Sequence, residues 1–345
     1  MKDLKEIISF LKEYDGEEIR IMEICGSHTG AIAKNGIEAM LSEKIRLISG
    51  PGCPVCVTPS AYIDRLIELS LESDTTVVTF GDLLRVPGSR ESLREAQGRG
   101  AKVKMVYSPM DIIGIAEASP DEKFVFAAIG FETTTPVYAL LLDTLVKEKI
   151  ENVKLLTALK TMPEVVDVLC SGGAKIDAFI APGHVCVVTG SRIFEPAAQK
   201  YHLPFVVSGF EGEDLLRTIY LLVQNKGEGK VINNYPSVVL YEGNEKAQAL
   251  VEKYFTKADA SWRGIGNVTG SGRLIRPEFS RYDAGSAGLE YDEKKNKACS
   301  CDKVIMGLIS PEECPLFGKI CNPGNPQGAC MVSPEGSCNT RFCMG

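Results

Sequence analysis

The chain has 345 residues, 44% hydrophobic and 24% charged, with a net charge of −7, the composition of a soluble globular protein long enough for two or three cored domains. Its acidic balance argues against nucleic acid as a main partner, because phosphate binding needs a basic surface. No run of 18 or more apolar residues occurs, which argues against a membrane partner.

The N-terminal stretch MKDLKEIISFLKEYDGEE is charged throughout and lacks a signal-peptide core, so a cytoplasmic location is expected. Eight short segments then read as strands: 18–24, 45–49, 75–80, 102–107, 123–129, 153–159, 176–181 and 204–209. They are rich in Val and Ile and bounded by Gly, Pro or Asp. Amphipathic stretches of helical length fill the gaps at 31–43, 59–73, 136–149, 191–201 and 211–225. This alternation predicts an α/β protein with two similar doubly wound parallel-sheet domains, helices covering both faces. A break near Ala118–Lys123 divides them into 16–118 and 119–240. Beyond residue 225 the alternation fades. Residues 241–345, with 1–15, are expected to form a Cys-rich loop and helix module, with a helix near 244–255, stabilised by a metal site.

The strand ends carry the unusual residues. Six finish in polar or glycine-rich turns: ICGSH, SGPGCPVC, TFGD, AIGFETTTP, APGH and SGFEGED. Ligands of open parallel sheets bind beyond the carboxyl ends of the strands, and glycine there admits a close backbone approach. Cys25, Cys53, Cys56, Asp82, Glu132 and His184 are therefore expected around one cleft or two facing ones.

Cysteine is abundant, at 12 residues, and in a reducing compartment that means metal binding or thiol chemistry. Cys25 opens CGSH at a strand end. A helix from about residue 31 would lower its thiol pKa, and His28 would act as proton partner or second ligand. Taken alone, the motif favours a buried, inert cysteine beside a satisfied histidine, because buried free Cys is common. CPVC at 53–56, with proline inside and a helix expected from Pro59, has the form of a redox dithiol. Half of a zinc site is the competing reading, but no second CxxC or His pair stands at zinc spacing. Seven thiols crowd the tail from Cys299 to Cys343 with almost no histidine, which points to an iron–sulfur cluster. Cys299, Cys314, Cys321 and Cys338 form one ligand set; Cys301 can replace Cys299, and Cys330 can replace Cys338. A zinc ribbon or structural disulfides fit less well. Cys343 reads as a dispensable end residue, Cys170 and Cys186 as core, and GSGR (270–273) and GEGK (227–230) as too partial for nucleotide loops.

The motifs CGSHT (25–29), GPGCPVCVTP (50–59), TFGDLLRVPGS (79–89), YSPMD (107–111), AIGFETTTP (128–136), APGHV (181–185), WRGIG (262–266), CPLFGKIC (314–321) and CMVSPEGSC (330–338) resemble, in order, those of the HypD family. The resemblance runs from about residue 5 to 342. It implies a role in [NiFe]-hydrogenase maturation, in which a HypC-type small chaperone shares the assembly of an Fe(CN)2CO unit. A HypE-type protein supplies cyanide as a thiocyanate, and the hydrogenase large subunit receives the unit. It further implies that Cys25 holds the transient iron, that Cys53 and Cys56 are redox-active, and that the tail binds a [4Fe-4S] cluster. His28, Asp82, Glu132 and His184 are then candidates for proton handling or for hydrogen bonds to cyanide. Capping after a strand is the alternative for Asp82 and Glu132. Gly30 stands where the family motif implies a second histidine, and Cys186 where it implies a small polar residue. Such a protein is an assembly scaffold with redox function rather than a conventional turnover enzyme. The alternative is a cluster-dependent disulfide reductase of the ferredoxin–thioredoxin reductase kind.

Overall fold

The computed structural model describes residues 3–344. Among the described residues there are eleven strands: β1 (Ile19–Glu23), β2 (Ile45–Ser49), β3 (Thr75–Thr79), β4 (Val103–Met105), β5 (Lys123–Gly130), β6 (Val153–Lys160), β7 (Ala178–Pro182), β8 (Phe205–Ser208), β9 (Val231–Asn233), β10 (Phe255–Trp262) and β11 (Gly266–Ile275). They build two sheets, one in the order β2-β1-β7-β8-β9 and one in the order β10-β11-β6-β5-β3-β4. The first is wholly parallel. The second is parallel apart from its β10 end, where β10 pairs antiparallel with β11 and β11 antiparallel with β6. The protein is thus α/β, with two predominantly parallel sheets and a Cys-rich C-terminal region.

All eight expected strands are present, most within two residues of the expected bounds. The chain visits the sheets in turn, however. β1 and β2 lie in the first sheet, β3 to β6 in the second, β7 to β9 in the first and β10 and β11 in the second. The expected break near Ala118–Lys123 falls between β4 and β5, and both belong to the six-stranded sheet. The expected Cys-rich module likewise contains the β10–β11 hairpin, which extends that sheet past β6. Neither feature is visible locally, since strand adjacency depends on long-range pairing and not on order in the chain.

Period-two alternation explains the layering. In β1, Ile19 and Ile21 face a core shared with Leu11, Leu215 and Ile219, while Met22 and Ile24 face the opposite side. In β5, Phe124, Phe126 and Ala128 pack towards Tyr138 and Leu142, while Val125, Ala127 and Ile129 face the other way. Those opposite faces of both sheets meet in one continuous core, which also takes in Val304, Ile305, Met331 and Val332 of the tail. The tail is therefore seated on the junction of the sheets. Among the described residues no helix is long and apolar enough to cross a membrane.

Candidate functional site

β1 and β2 are adjacent and parallel, with Glu23 opposite Ser49. Their carboxyl ends consequently bring CGSH and CPVC together. The approach is close because residue 52 is glycine: a Cβ there would lie 2.5 Å from Cys25 Cα and 2.6 Å from its carbonyl carbon. The Gly26 amide donates to the Gly52 carbonyl at 3.0 Å. Cys53 and Cys56 form a disulfide with a Cα–Cα distance of 5.2 Å, and both are buried. The helix after them starts at Ser60, close to expectation. The loop that follows CPVC is braced from the β10–β11 turn. Buried Arg263 donates to the carbonyls of Thr58 at 2.5 Å and Pro87 at 2.8 Å, and its amide donates to Val57 at 2.8 Å. Composition pointed to no such role for Arg263; only its place in WRGIG marked it.

Cys25 is the N-cap of the helix Gly26–Lys34, which starts five residues earlier than expected. The expected lowering of its thiol pKa is corrected. The sulfur is buried, and desolvation pushes it up to about 12, outweighing the backbone hydrogen bonds from His28 and Ser27. Glu23, which sequence reasoning missed, is 2% exposed. It accepts the Cys25 amide at 2.9 Å on Oε2 and the Thr29 hydroxyl on Oε1. Burial raises its pKa to about 8. Its signal in the sequence was a carboxylate at a strand position whose neighbours are all core.

His28 is fully buried and its Nε2 donates to the Gly209 carbonyl at 3.1 Å. The proton sits on Nε2 because a carbonyl only accepts, which leaves Nδ1 as a lone pair with no protein partner. Burial lowers the ring pKa to about 4. His28 and the exposed His184 both stack on Phe210, with ring centroids 4.6 and 3.9 Å away. Phe210 lies just beyond β8 and His184 just beyond β7, so these groups share the carboxyl edge of the first sheet with Cys25 and Cys53.

Asp82 and Glu132 stand at the ends of β3 and β5 in the other sheet. Asp82 accepts the Ser333 hydroxyl at 3.0 Å, and Arg85 donates to the Val332 and Pro323 carbonyls at 3.3 and 3.1 Å. The TFGDLLR turn is thus a seat for the tail. Glu132 is buried, its Oε1 accepts the Met162 amide at 2.8 Å, and burial raises its pKa to about 7. It lines a separate cavity of 410 Å³ with Thr161, Ile193, Pro196 and Arg273, without Cys25, Cys53 or Cys56. Of the residues expected around one cleft or two facing ones, Cys25, Cys53, Cys56 and His184 lie on one sheet edge, joined by His28, and Asp82 and Glu132 on the other.

Tail residues bridge the two edges. Ser27 donates to Glu335 at 3.1 Å, and a Cβ on Gly26 would lie 2.5 Å from Glu335 Cβ. Behind this loop, Cys299, Cys301, Cys314, Cys321, Cys330 and Cys338 are all buried, while Cys343 is exposed. Cys301 and Cys330 sulfurs are 3.0 Å apart, and Cys330 and Cys338 sulfurs 3.1 Å apart. Cys321 accepts the Gln327 amide at 3.4 Å. Gly328 opens a cradle here: a Cβ would come 2.7 Å from Cys299 Sγ and 3.3 Å from Cys301 Cβ. Among the described residues no three His, Cys, Asp or Glu side chains are disposed around a single metal ion. A cluster asks for something else, thiolates spread around a group of several atoms in a desolvated pocket, and the six buried thiols with their glycine cradle fit that demand. Cys301 and Cys330 belong to the same group as the four in the expected set. Cys186 is core, as expected, and burial pushes its thiol up.

Comparison with known proteins agrees with this arrangement. The HypD family, described as the hydrogenase formation hypA family, matches residues 2–345. The hydrogenase maturation factor HypD of Rhizobium leguminosarum bv. viciae is 41% identical over 357 aligned positions, covering 100% of this chain and 92% of that protein. The factor of the same name from Escherichia coli K12 is 39% identical, with 98% and 92% covered. A putative hydrogenase expression/formation protein of Methanocaldococcus jannaschii is 41% identical, with 93% and 91% covered. The family match spans both sheets and the Cys-rich tail, and on that evidence, with these relatives, the chain belongs to the HypD family of hydrogenase maturation factors.

Proposed function

We propose that the protein is a cytoplasmic scaffold on which an iron carrying cyanide and carbonyl is assembled, with Cys25 as its anchor and a HypC-type small chaperone as the second holder. The observation that carries this reading is the contact of Gly52 with the Cys25 backbone, which holds a lone thiol beside a disulfide-forming pair. A soft thiolate suits an iron with strong-field ligands. Iron binding displaces the Cys25 proton, which burial otherwise retains.

The neighbouring pair answers a redox need. Cyanide delivered as a thiocyanate by a HypE-type donor arrives bonded to sulfur. Cleaving that S–C bond to thiol and cyanide takes two electrons. Oxidation of the Cys53 and Cys56 thiols to their disulfide supplies those electrons and two protons: one goes to the donor's thiolate, the other to a base as cyanide binds iron. The Nδ1 lone pair of His28 is a candidate base on this sheet edge, with His184 sharing its aromatic platform. Asp82 serves by holding the tail, and Glu132 acts from its own cavity.

In the tail, four of the six buried thiols hold a [4Fe-4S] cluster. Cys299, Cys314, Cys321 and Cys338 are the first set, with Cys301 and Cys330 as alternates. When bound, the cluster supplies one-electron transfer. The finished unit passes on towards the hydrogenase large subunit. A disulfide reductase acting on other proteins is the weaker reading, because both sulfurs of the pair are buried and Cys25 would have no task.

Infrared spectroscopy on anaerobic protein co-expressed with its small chaperone tests the proposal. Cyanide and carbonyl bands are expected in the wild type and absent in Cys25→Ala, with iron quantified alongside. Bands of full strength in Cys25→Ala would remove Cys25 as anchor. Cells carrying Cys53→Ala or Cys56→Ala are expected to lose hydrogenase activity, and normal activity would sink the redox role.

A further inference from the structure

The N-cap residue of a helix commonly has its amide accepted by a Glu or Gln side chain at the third helical position. In the helix that begins after Cys25 that position is His28, whose ring is turned into the core towards Gly209. The Cys25 amide is instead accepted at 2.9 Å by Glu23, from the strand side. The other oxygen of the same carboxyl takes the Thr29 hydroxyl, one turn along the helix, while Ser49 of β2 lies opposite Glu23 in the strand register. One buried side chain thereby joins the end of β1 to the first turn of the helix. Cys25 sits between these two, in an extended conformation with φ −149° and ψ 119°.

We propose that Glu23 is a positioning residue: its carboxyl clamps the Cys25 amide to Thr29, and so sets the direction in which the Cys25 thiol is presented. The functional weight of the clamp rests on the reading of Cys25 as the iron anchor. Its geometry does not. Burying a carboxyl beside a thiol is unfavourable for stability alone, since an apolar side chain would fill the strand position without desolvating a polar group. The arrangement makes sense where the backbone of residue 25 must be held while its side chain stays free to bind.

The test uses purified full-length protein labelled with 15N-cysteine, whose 12 amides report separately; the Cys25 signal is the one lost in Cys25→Ser. Amide exchange at Cys25 is compared in wild type, Glu23→Leu, Glu23→Gln, Thr29→Val and Thr29→Ser. Glu23→Leu is expected to speed exchange at Cys25 about tenfold or more, leaving Cys170 and Cys186 unchanged. Glu23→Gln keeps an acceptor for the amide and a donor for Thr29, and is expected to stay within about threefold of wild type. Thr29→Val should fall between them, with Thr29→Ser restoring protection. Unchanged exchange in a folded Glu23→Leu overturns the clamp. So does a loss in Glu23→Gln as large as in Glu23→Leu, which would make charge rather than hydrogen bonding the cause. If Glu23→Leu does not fold, the Thr29 pair and Glu23→Gln carry the same decision.

A second arm measures the infrared bands in the same variants. Bands weakened in Glu23→Leu and retained in Glu23→Gln support a positioning role. Full bands in Glu23→Leu, with bands lost in Cys25→Ala, overturn it. Full bands in Cys25→Ala overturn the anchor reading instead, and leave the exchange result standing as the measure of the clamp.

Discussion

Two groups of thiols in this molecule are built in opposite ways. Cys25, Cys53 and Cys56 sit at the ends of paired parallel strands, and their backbones touch through a glycine. Sheet hydrogen bonds and a shared core hold that centre whether or not anything is bound. The six buried thiols of the tail stand on loops, single helical turns and short helices instead. What joins them to the body is a few contacts such as Ser333 with Asp82 and Ser27 with Glu335, plus a handful of core residues. The first arrangement presents a reactive site on a rigid frame. The second depends on what the thiols hold, as metal-stabilised modules do.

Breaking the rigid frame should have the largest effect. Gly52→Ala puts a methyl group into the Cys25 backbone, a clash expected to cost about 3 kcal/mol, read as a shift in the urea midpoint. A wild-type midpoint would mean that the frame is softer than the contact implies. The same frame also sets the pH response. His28 has a folded pKa of about 4, below its ordinary 6.5, so folding favours its neutral form. Its contribution is complete above pH 6.5 and is lost as pH falls through 4, to a limit of about 3 kcal/mol. Glu132 has the opposite sign. Its folded pKa of about 7 lies above the ordinary 4.5, so its contribution is complete below 4.5 and is lost as pH rises through 7. Stability measured against pH should flatten on the acid side in His28→Gln and on the alkaline side in Glu132→Gln.

The tail should respond to metal instead. Removing iron anaerobically is expected to raise proteolysis within 296–344 about tenfold while strands β1 to β8 stay protected. Equal protection of the tail with and without iron would erase the contrast between the two thiol groups. Asp82→Ala removes one hydrogen bond of the seat and should cost about 1 kcal/mol, with a matching rise in tail cleavage. Cys343→Ala should be the mildest, within about 0.5 kcal/mol, since its thiol is exposed and its contact with Asn339 is long, at 3.7 Å.

The strands and the reactive turns were legible because both are written locally. Val- and Ile-rich runs bounded by breakers mark β1 to β8, and CPVC declares a dithiol by its own spacing. The hairpin β10–β11 escaped because the middle of Phe255–Trp262 alternates half-buried and exposed residues without the apolar density of a parallel strand. Glu23 escaped because a carboxylate in a strand carries no motif, and Arg263 because its partners, Thr58 and Pro87, lie far off in the chain.

By itself the sequence determined the α/β class, the positions of eight strands, the family and the chemical types at the strand ends, since period, turn residues and motif spacing are properties of short windows. Only the tertiary structure decided which strands are neighbours. That choice set Cys25 beside Cys53, parted Glu132 from both and seated the tail across two interleaved sheets. It also reversed the expected shift of the Cys25 thiol, because desolvation depends on what surrounds the sulfur from every side, and a helix dipole is only one part of that surrounding.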